Sequence, residues 1–186
     1  MRLFAAVVPP PEAVAELREA VRALPADPRL RRTTEAAWHF TLAFMGEVQD
    51  EVLPDLHARL ARAAARTAPF PLRLHGVGHF GDRTLWVGAA GDLDTMRMLA
   101  ERADAAARRA GVPMEQHRRY TPHVTLGRSR EGIPLRPYLD ALADFEGTAW
   151  QADTLCLVRS NLPVSGIPGE QPRYETVGAW PLEGQD

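Results

Sequence analysis

A short apolar stretch carrying one histidine and one threonine occurs twice in this chain, and the repetition constrains the fold more than any other feature. Trp38-His39-Phe40-Thr41-Leu42-Ala43-Phe44 returns 84 residues later as Pro122-His123-Val124-Thr125-Leu126-Gly127-Arg128. Both copies are short, apolar and bounded by turn or helix signals, which marks them as β-strands. Side chains alternate across a strand, so His39 and Thr41 share one face while Phe40 and Leu42 take the other. His123 and Thr125 stand against Val124 and Leu126 in the same way. Each strand thus buries one face in a core and offers an imidazole and a hydroxyl on the other.

A period of this length is too long for a solenoid and suits a duplicated half. The flanks keep nearly the same offset: Leu3–Val8 resembles Leu85–Ala90, 82 residues on. Each half reads strand, helix, His-x-Thr strand, helix, strand. Two lobes with one His-x-Thr strand apiece are the expected outcome. No low-complexity linker divides residues 1–186, so a single bilobal domain is expected.

The remaining elements follow from apolar spacing and its breakers. Helices are expected over about 12–23, 51–67, 93–110 and 137–143, with Asp50 and either Asp92 or Asp94 as N-caps and Gly111 closing the third. Strands are expected at 70–74, 85–90, 153–159 and 174–180, with Gly76, Gly78 and Gly81 marking a turn or bulge. Residues 161–172, rich in Pro, Gly and Ser, read as an exposed loop beside the cleft.

Composition narrows the chemistry. Net charge is −2, so bulk attraction to nucleic acid or anionic lipid is absent. All 22 basic residues are arginine, which removes lysine-based covalent catalysis. The single cysteine, Cys156, excludes an internal disulfide and a zinc cluster, and reads as a small buried residue of an apolar run. No stretch resembles a secretory leader or approaches membrane-spanning length, and a cytoplasmic monomer is expected.

Three chemistries use paired histidines. A metal site needs a third ligand, and none lies at a suitable spacing; no metal or cofactor is expected. A serine-type triad needs a nucleophile on a sharp turn, and no Gly-x-Ser-x-Gly occurs. The third is two-sided acid–base work on a phosphodiester. One neutral imidazole takes a proton from the attacking oxygen while an opposed imidazolium gives one to the leaving oxygen. Threonine hydroxyls beside the two rings donate to phosphate oxygens. His57, His75, His79 and His117 read as structural.

Arginines gather near both motifs: Arg29, Arg31 and Arg32 before the first, Arg118, Arg119, Arg128 and Arg130 around the second. Guanidinium forks suit phosphate. Phe44 and Arg128 stand five residues past their histidines, where strict alternation turns both away from the site. A bulge or strand end at Gly127 is expected to redirect Arg128. Phe44 reads either as core or as a platform for a base. Arg128, Arg130 and Phe44 are therefore the candidate substrate-binding residues.

At His39-Phe40-Thr41-Leu42 and His123-Val124-Thr125-Leu126 the chain resembles the 2H phosphoesterase superfamily, defined by paired His-x-Thr/Ser-x motifs. More closely it resembles the bacterial and archaeal RNA 2′,3′-cyclic phosphodiesterases, also known as 2′-5′ RNA ligases. The likeness includes Arg2-Leu3-Phe4-Ala5-Ala6, Met45-Gly46-Glu47, Leu85-Trp86-Val87-Gly88 and Tyr120 through Arg128, with Tyr120 and Gly127 as mild departures. It implies an α+β fold of two lobes, each an antiparallel sheet with helices on its outer face, facing across a cleft. It implies metal-free opening of 2′,3′-cyclic phosphate at RNA 3′ ends, or on cyclic nucleotides, to leave a 2′-phosphate. His39, Thr41, His123 and Thr125 form the implied catalytic set, with His39 as acid, His123 as base and Arg128 on the phosphate. Ligation through a 2′-5′ bond, cleavage of 2′-5′ oligonucleotides and a non-catalytic RNA-end binding module are the alternatives.

Overall fold

The computed structural model describes residues 1–115, 119–163, 166 and 170–185. Its elements in order are β1 (Arg2–Val7), α1 (Pro11–Ala20), β2 (Arg31–Arg32), β3 (Phe40–Glu47), α2 (Leu53–Ala65), β4 (Phe70–Phe80), β5 (Thr84–Gly91), α3 (Leu93–Ala110), β6 (Val124–Arg128), α4 (Arg136–Ala141), β7 (Trp150–Ala152), β8 (Thr154–Asn161) and β9 (Arg173–Pro181). Two antiparallel sheets result, ordered β3-β1-β8-β9 and β2-β6-β5-β4-β7. The expected α+β architecture of two sheets with helices is what the chain adopts.

The near-continuous apolar run of β1 has its reason in this order. The strand is central and covered on both faces, so every residue from Leu3 to Val7 is buried. Leu3, Ala5 and Val7 join the main core, whereas Phe4 and Ala6 belong to a small cluster with Val158 on the other face. Helices α2 and α3 pack on one another and cover the first sheet, α2 against β8 and β9 and α3 against β3. Leu56 and Leu60 of α2 and Met96 and Leu99 of α3 are fully buried there. Helix α1 instead reaches β4 of the second sheet. The helices therefore cross between halves, and one continuous core joins both sheets.

Helix termini follow local chemistry. Pro11 starts α1 at a position where its missing N–H costs nothing. Asp92 caps α3, accepting from the Thr95 N–H at 3.0 Å, and Gly111 closes it in the left-handed region at φ 99°. Asp50 does not cap α2; it opens a 3₁₀ turn that leads into the helix.

Three elements differ from expectation. β4 continues six residues past Leu74 to Phe80, because an irregularity between Leu74 and Val77, with Gly76 at φ 75°, absorbs the glycines without ending the strand. The turn falls at Gly81, φ 58°. β2 and β7 are too short to show a pattern of their own. Cys156 is only partly buried, on the same face as Phe4 and Ala6, and its surroundings raise the thiol pKa by desolvation. Among the described residues no helix is long and apolar enough to cross a membrane.

A methyl group at Gly78 would lie 2.3 Å from the Trp86 ring, so the indole lies flat over that backbone only because no Cβ is present. Gly78→Ala is expected to displace Trp86 and to cost about 1–3 kcal/mol of stability. Urea denaturation and near-ultraviolet circular dichroism check both effects.

Candidate active site

Each motif histidine stands one residue before its strand, His39 ahead of β3 and His123 ahead of β6, and each is seated on aromatic rings. The His39 imidazole stacks on Phe4, with centroids 4.5 Å apart and planes 27° from parallel, and Tyr174 meets it edge-on at 5.4 Å. His123 lies perpendicular to Phe80 at 5.0 Å and tilted over Trp86 at 5.9 Å. Phe4 and Trp86 occupy matching places in the two central strands. The duplication thus extends from the histidines to the surfaces beneath them. The Nδ1 atom of His123 is 2.7 Å from the Thr121 carbonyl. With its proton on Nδ1, the ring donates to that carbonyl and leaves Nε2 as a free base.

Reciprocal hydrogen bonds tie the two strands together. Thr33, upstream of the first motif, donates its hydroxyl to the Thr125 carbonyl at 2.6 Å and its N–H to the Leu126 carbonyl at 3.0 Å. Tyr120, upstream of the second, donates its hydroxyl to the Thr41 carbonyl at 3.1 Å. β2 pairs with β6, so the chain passes from the edge of the second sheet directly into the first motif. Gln171, ahead of β9, accepts from the Thr34 N–H and donates to the Arg32 carbonyl. The carbonyls of Thr41 and Thr125 are thus held by the opposite half. Their hydroxyls have no protein partner among the described residues and remain available to a ligand.

The fifth residue past each histidine faces the cleft for one shared reason. In β6, Thr125 is opposite Trp86, Gly127 opposite Leu85 and Arg128 opposite Thr84, leaving Leu126 as an extra residue. In β3, Thr41 is opposite Ala6, Ala43 opposite Ala5 and Phe44 opposite Phe4, leaving Leu42 extra. One inserted residue reverses the alternation. Arg128 therefore shares a face with Thr125, and Phe44 with Thr41. The core reading of Phe44 is overturned: its ring is 55% exposed and lies beneath the Arg2 guanidinium at 5.4 Å. Gly127 serves by close approach, since a Cβ there would meet the buried Leu30 side chain at 3.0 Å.

The electrostatics are unequal. Desolvation against Phe4 and Tyr174, then the charges of Arg128 and His123, lower the His39 pKa to about 4. At neutral pH the free protein carries His39 uncharged. Arg128 and His123, from the second sheet, thus lie near enough to act on this ring of the first.

A family model described as the 2′-5′ RNA ligase superfamily matches residues 6–162. The chain belongs to this superfamily. A relative from Thermus thermophilus named RNA 2′,3′-cyclic phosphodiesterase is 32% identical, the match covering 100% of this chain and 92% of the relative. One of the same name from Geobacillus stearothermophilus is 31% identical over 81% of this chain, which spans only 47% of that relative's length. The crystal structure of TT0787 of Thermus thermophilus superposes with a TM-score of 0.81 at 30% identity, covering 100% of both chains.

Within this superfamily fold the arginines near the motifs divide sharply. Arg29 is paired with Asp27 at 2.8 Å, and Arg32 donates to the carbonyls of Val21, Leu24 and Pro25, where it binds the end of the α1 segment. Arg31, Arg128 and Arg130 have no carboxylate partner among the described residues; with Arg29 and Arg32 they line a pocket of about 480 Å³, whose wall includes Tyr174, which touches the His39 ring. Arg119 lies elsewhere, near Leu93 and Arg97. Arg118 and His117 fall outside the described residues, as does part of the 161–172 loop. His57 packs edge-on against Trp180, His75 lies 4.0 Å from Glu146 and His79 contacts the Gly81 carbonyl. The sequence reading missed the seats Phe4, Tyr174, Phe80 and Trp86, the tethers Thr33 and Tyr120, and Arg83 in the pocket wall. Phe4 and Trp86 did carry a signal, because they sit at matched positions in the duplicated strands.

Titration of His39 by proton NMR is expected to give a pKa near 4. Arg128→Met should move it upward, since a positive neighbour disfavours the imidazolium. Thr33→Val and Tyr120→Phe should each cost about 1–3 kcal/mol in urea denaturation, by leaving a carbonyl without its donor.

Proposed function

We propose that this protein hydrolyses 2′,3′-cyclic phosphate at RNA 3′ ends to 2′-phosphomonoesters, with His39 and His123 as the acid–base pair and no metal. One observation carries the reading. Two imidazoles, on matching aromatic seats in two sheets, flank a common region where the threonine hydroxyls have no partner among the described residues and Arg128 supplies positive charge. The relatives named RNA 2′,3′-cyclic phosphodiesterase support the substrate class. The donor set supports a metal-free route: among the described residues no three His, Cys, Asp or Glu gather as ligands.

In the proposed reaction a water oxygen attacks phosphorus and gives its proton to the Nε2 of His123. The bond from phosphorus to O3′ breaks, and O3′ takes a proton from His39. The phosphate stays on O2′. Thr41 and Thr125 donate to the non-bridging oxygens, and Arg128 offsets the charge that grows on them. Phe44, exposed on the same face as Thr41, offers a ring for the terminal base.

His39 is uncharged in the free protein, so its role as acid depends on the substrate. Desolvation is the main cause of the low pKa, and a bound phosphate anion beside the ring acts against it and against the field of Arg128, raising the ring's pKa. The protonated state then forms with the ligand in place. The alkaline limb of kcat/KM, set by loss of the His39 proton in the free protein, is therefore expected at lower pH than the alkaline limb of kcat, which reports the complex.

His39→Ala and His123→Ala are each expected to lower kcat by about 10²–10⁴-fold. Chelator should leave turnover intact. Phosphorus NMR of the product should show a 2′-monoester. Undiminished turnover in either variant would refute the assignment.

A further inference from the structure

We propose that the arginine-lined pocket beside His39 is a subsite for an internal phosphodiester of RNA, the linkage immediately upstream of the cyclic end. Its geometry sets it apart from ordinary surface charge. Arg31 of β2 stands directly opposite Arg128 of β6, and Arg128 stands opposite Thr84 of β5. Directly opposed residues on neighbouring strands share a face, and like charges so placed repel. Neither arginine has a carboxylate partner among the described residues. Arg130 also lacks one, while Arg83 has only a loose contact with Asp82 at 4.0 Å. Among the described residues Glu131 is the single acid in the pocket wall. In the same wall, Arg29 and Arg32 are by contrast engaged, by Asp27 and by the carbonyls of Val21, Leu24 and Pro25.

With the terminal phosphate on Arg128, a second anion on Arg31 turns that repulsion into a further charge-assisted contact. At about 480 Å³ the pocket is large enough for a nucleotide. It adjoins the centre through Tyr174, which lines the pocket and also touches the His39 ring. This inference rests on the proposed function and adds a direction to it. The terminal nucleotide lies between the histidines toward Phe44, and the upstream strand leaves across the β2–β6 edge over Arg31, Arg83 and Arg130.

The test compares kcat/KM for a cyclic 2′,3′-mononucleotide and for a short oligonucleotide with the same cyclic end, at low and high salt. The oligonucleotide is expected to be favoured about tenfold or more. The advantage should shrink with rising salt, with a logarithmic slope of about 0.7 per phosphate bound. Arg31→Met and Arg83→Met should each remove much of it while leaving mononucleotide turnover unchanged, which also shows that the variants fold. Equal efficiency on both substrates, an advantage that survives both substitutions, or an equal loss on both substrates would overturn the subsite and leave the phosphodiesterase reading standing. Turnover of neither substrate by the unsubstituted protein would overturn both.

Discussion

Two residues of β2, paired with the end of β6, decide whether the two motifs can cooperate at all. Arg31 and Arg32 lie against Arg128 and Gly127, and Thr33 continues the contact with bonds to Leu126 and Thr125. Six residues later the same chain delivers His39. The first motif is thereby indexed to the second by backbone hydrogen bonds rather than by the packing of two independent bodies. Tyr120 completes the arrangement from the other side through the Thr41 carbonyl. A shift of one residue in this register would exchange the faces of every side chain on the strand.

The same construction explains why near-identical motifs have unequal surroundings. His39 rests against Phe4 and Tyr174 and lies within the field of Arg128, so its imidazolium is strongly disfavoured. His123 sits on Trp86 and Phe80, with its Nδ1 engaged by a carbonyl. The matching bulges bring Phe44 to the cleft face in one sheet and Arg128 in the other. Duplication supplied two equal frames, and the residues at equivalent places made them different. Acid–base work by two chemically similar groups requires such a difference, since one ring must hold a proton while its partner does not.

The strands, the duplication and the four His-x-Thr residues were legible because period-two alternation and repetition are properties of the chain itself. The helices were legible to within a few residues for the same reason. What stayed hidden depends on contacts between segments. β2 is two arginines with no β pattern, visible only once β6 lies beside it. The bulges at Leu42 and Leu126 reverse the phase of Phe44 and Arg128, and no local composition marks the one at Leu42. The core reading of Phe44 failed there, because strict alternation was carried past an inserted residue. The split of the arginines into engaged and unpaired groups depends on which carbonyls and carboxylates the fold brings near. Arg29 and Arg32 are spent on structure while Arg31 between them is not.

The most direct measurement is a crystal structure with a nucleoside vanadate, which mimics the five-coordinate phosphorus of in-line displacement. If both imidazoles serve one phosphorus, the vanadium lies between them and each apical oxygen is hydrogen-bonded to a different ring, His39 on one side and His123 on the other. Vanadium held by a single histidine, with the second ring turned away or bonded to protein alone, would contradict the shared site.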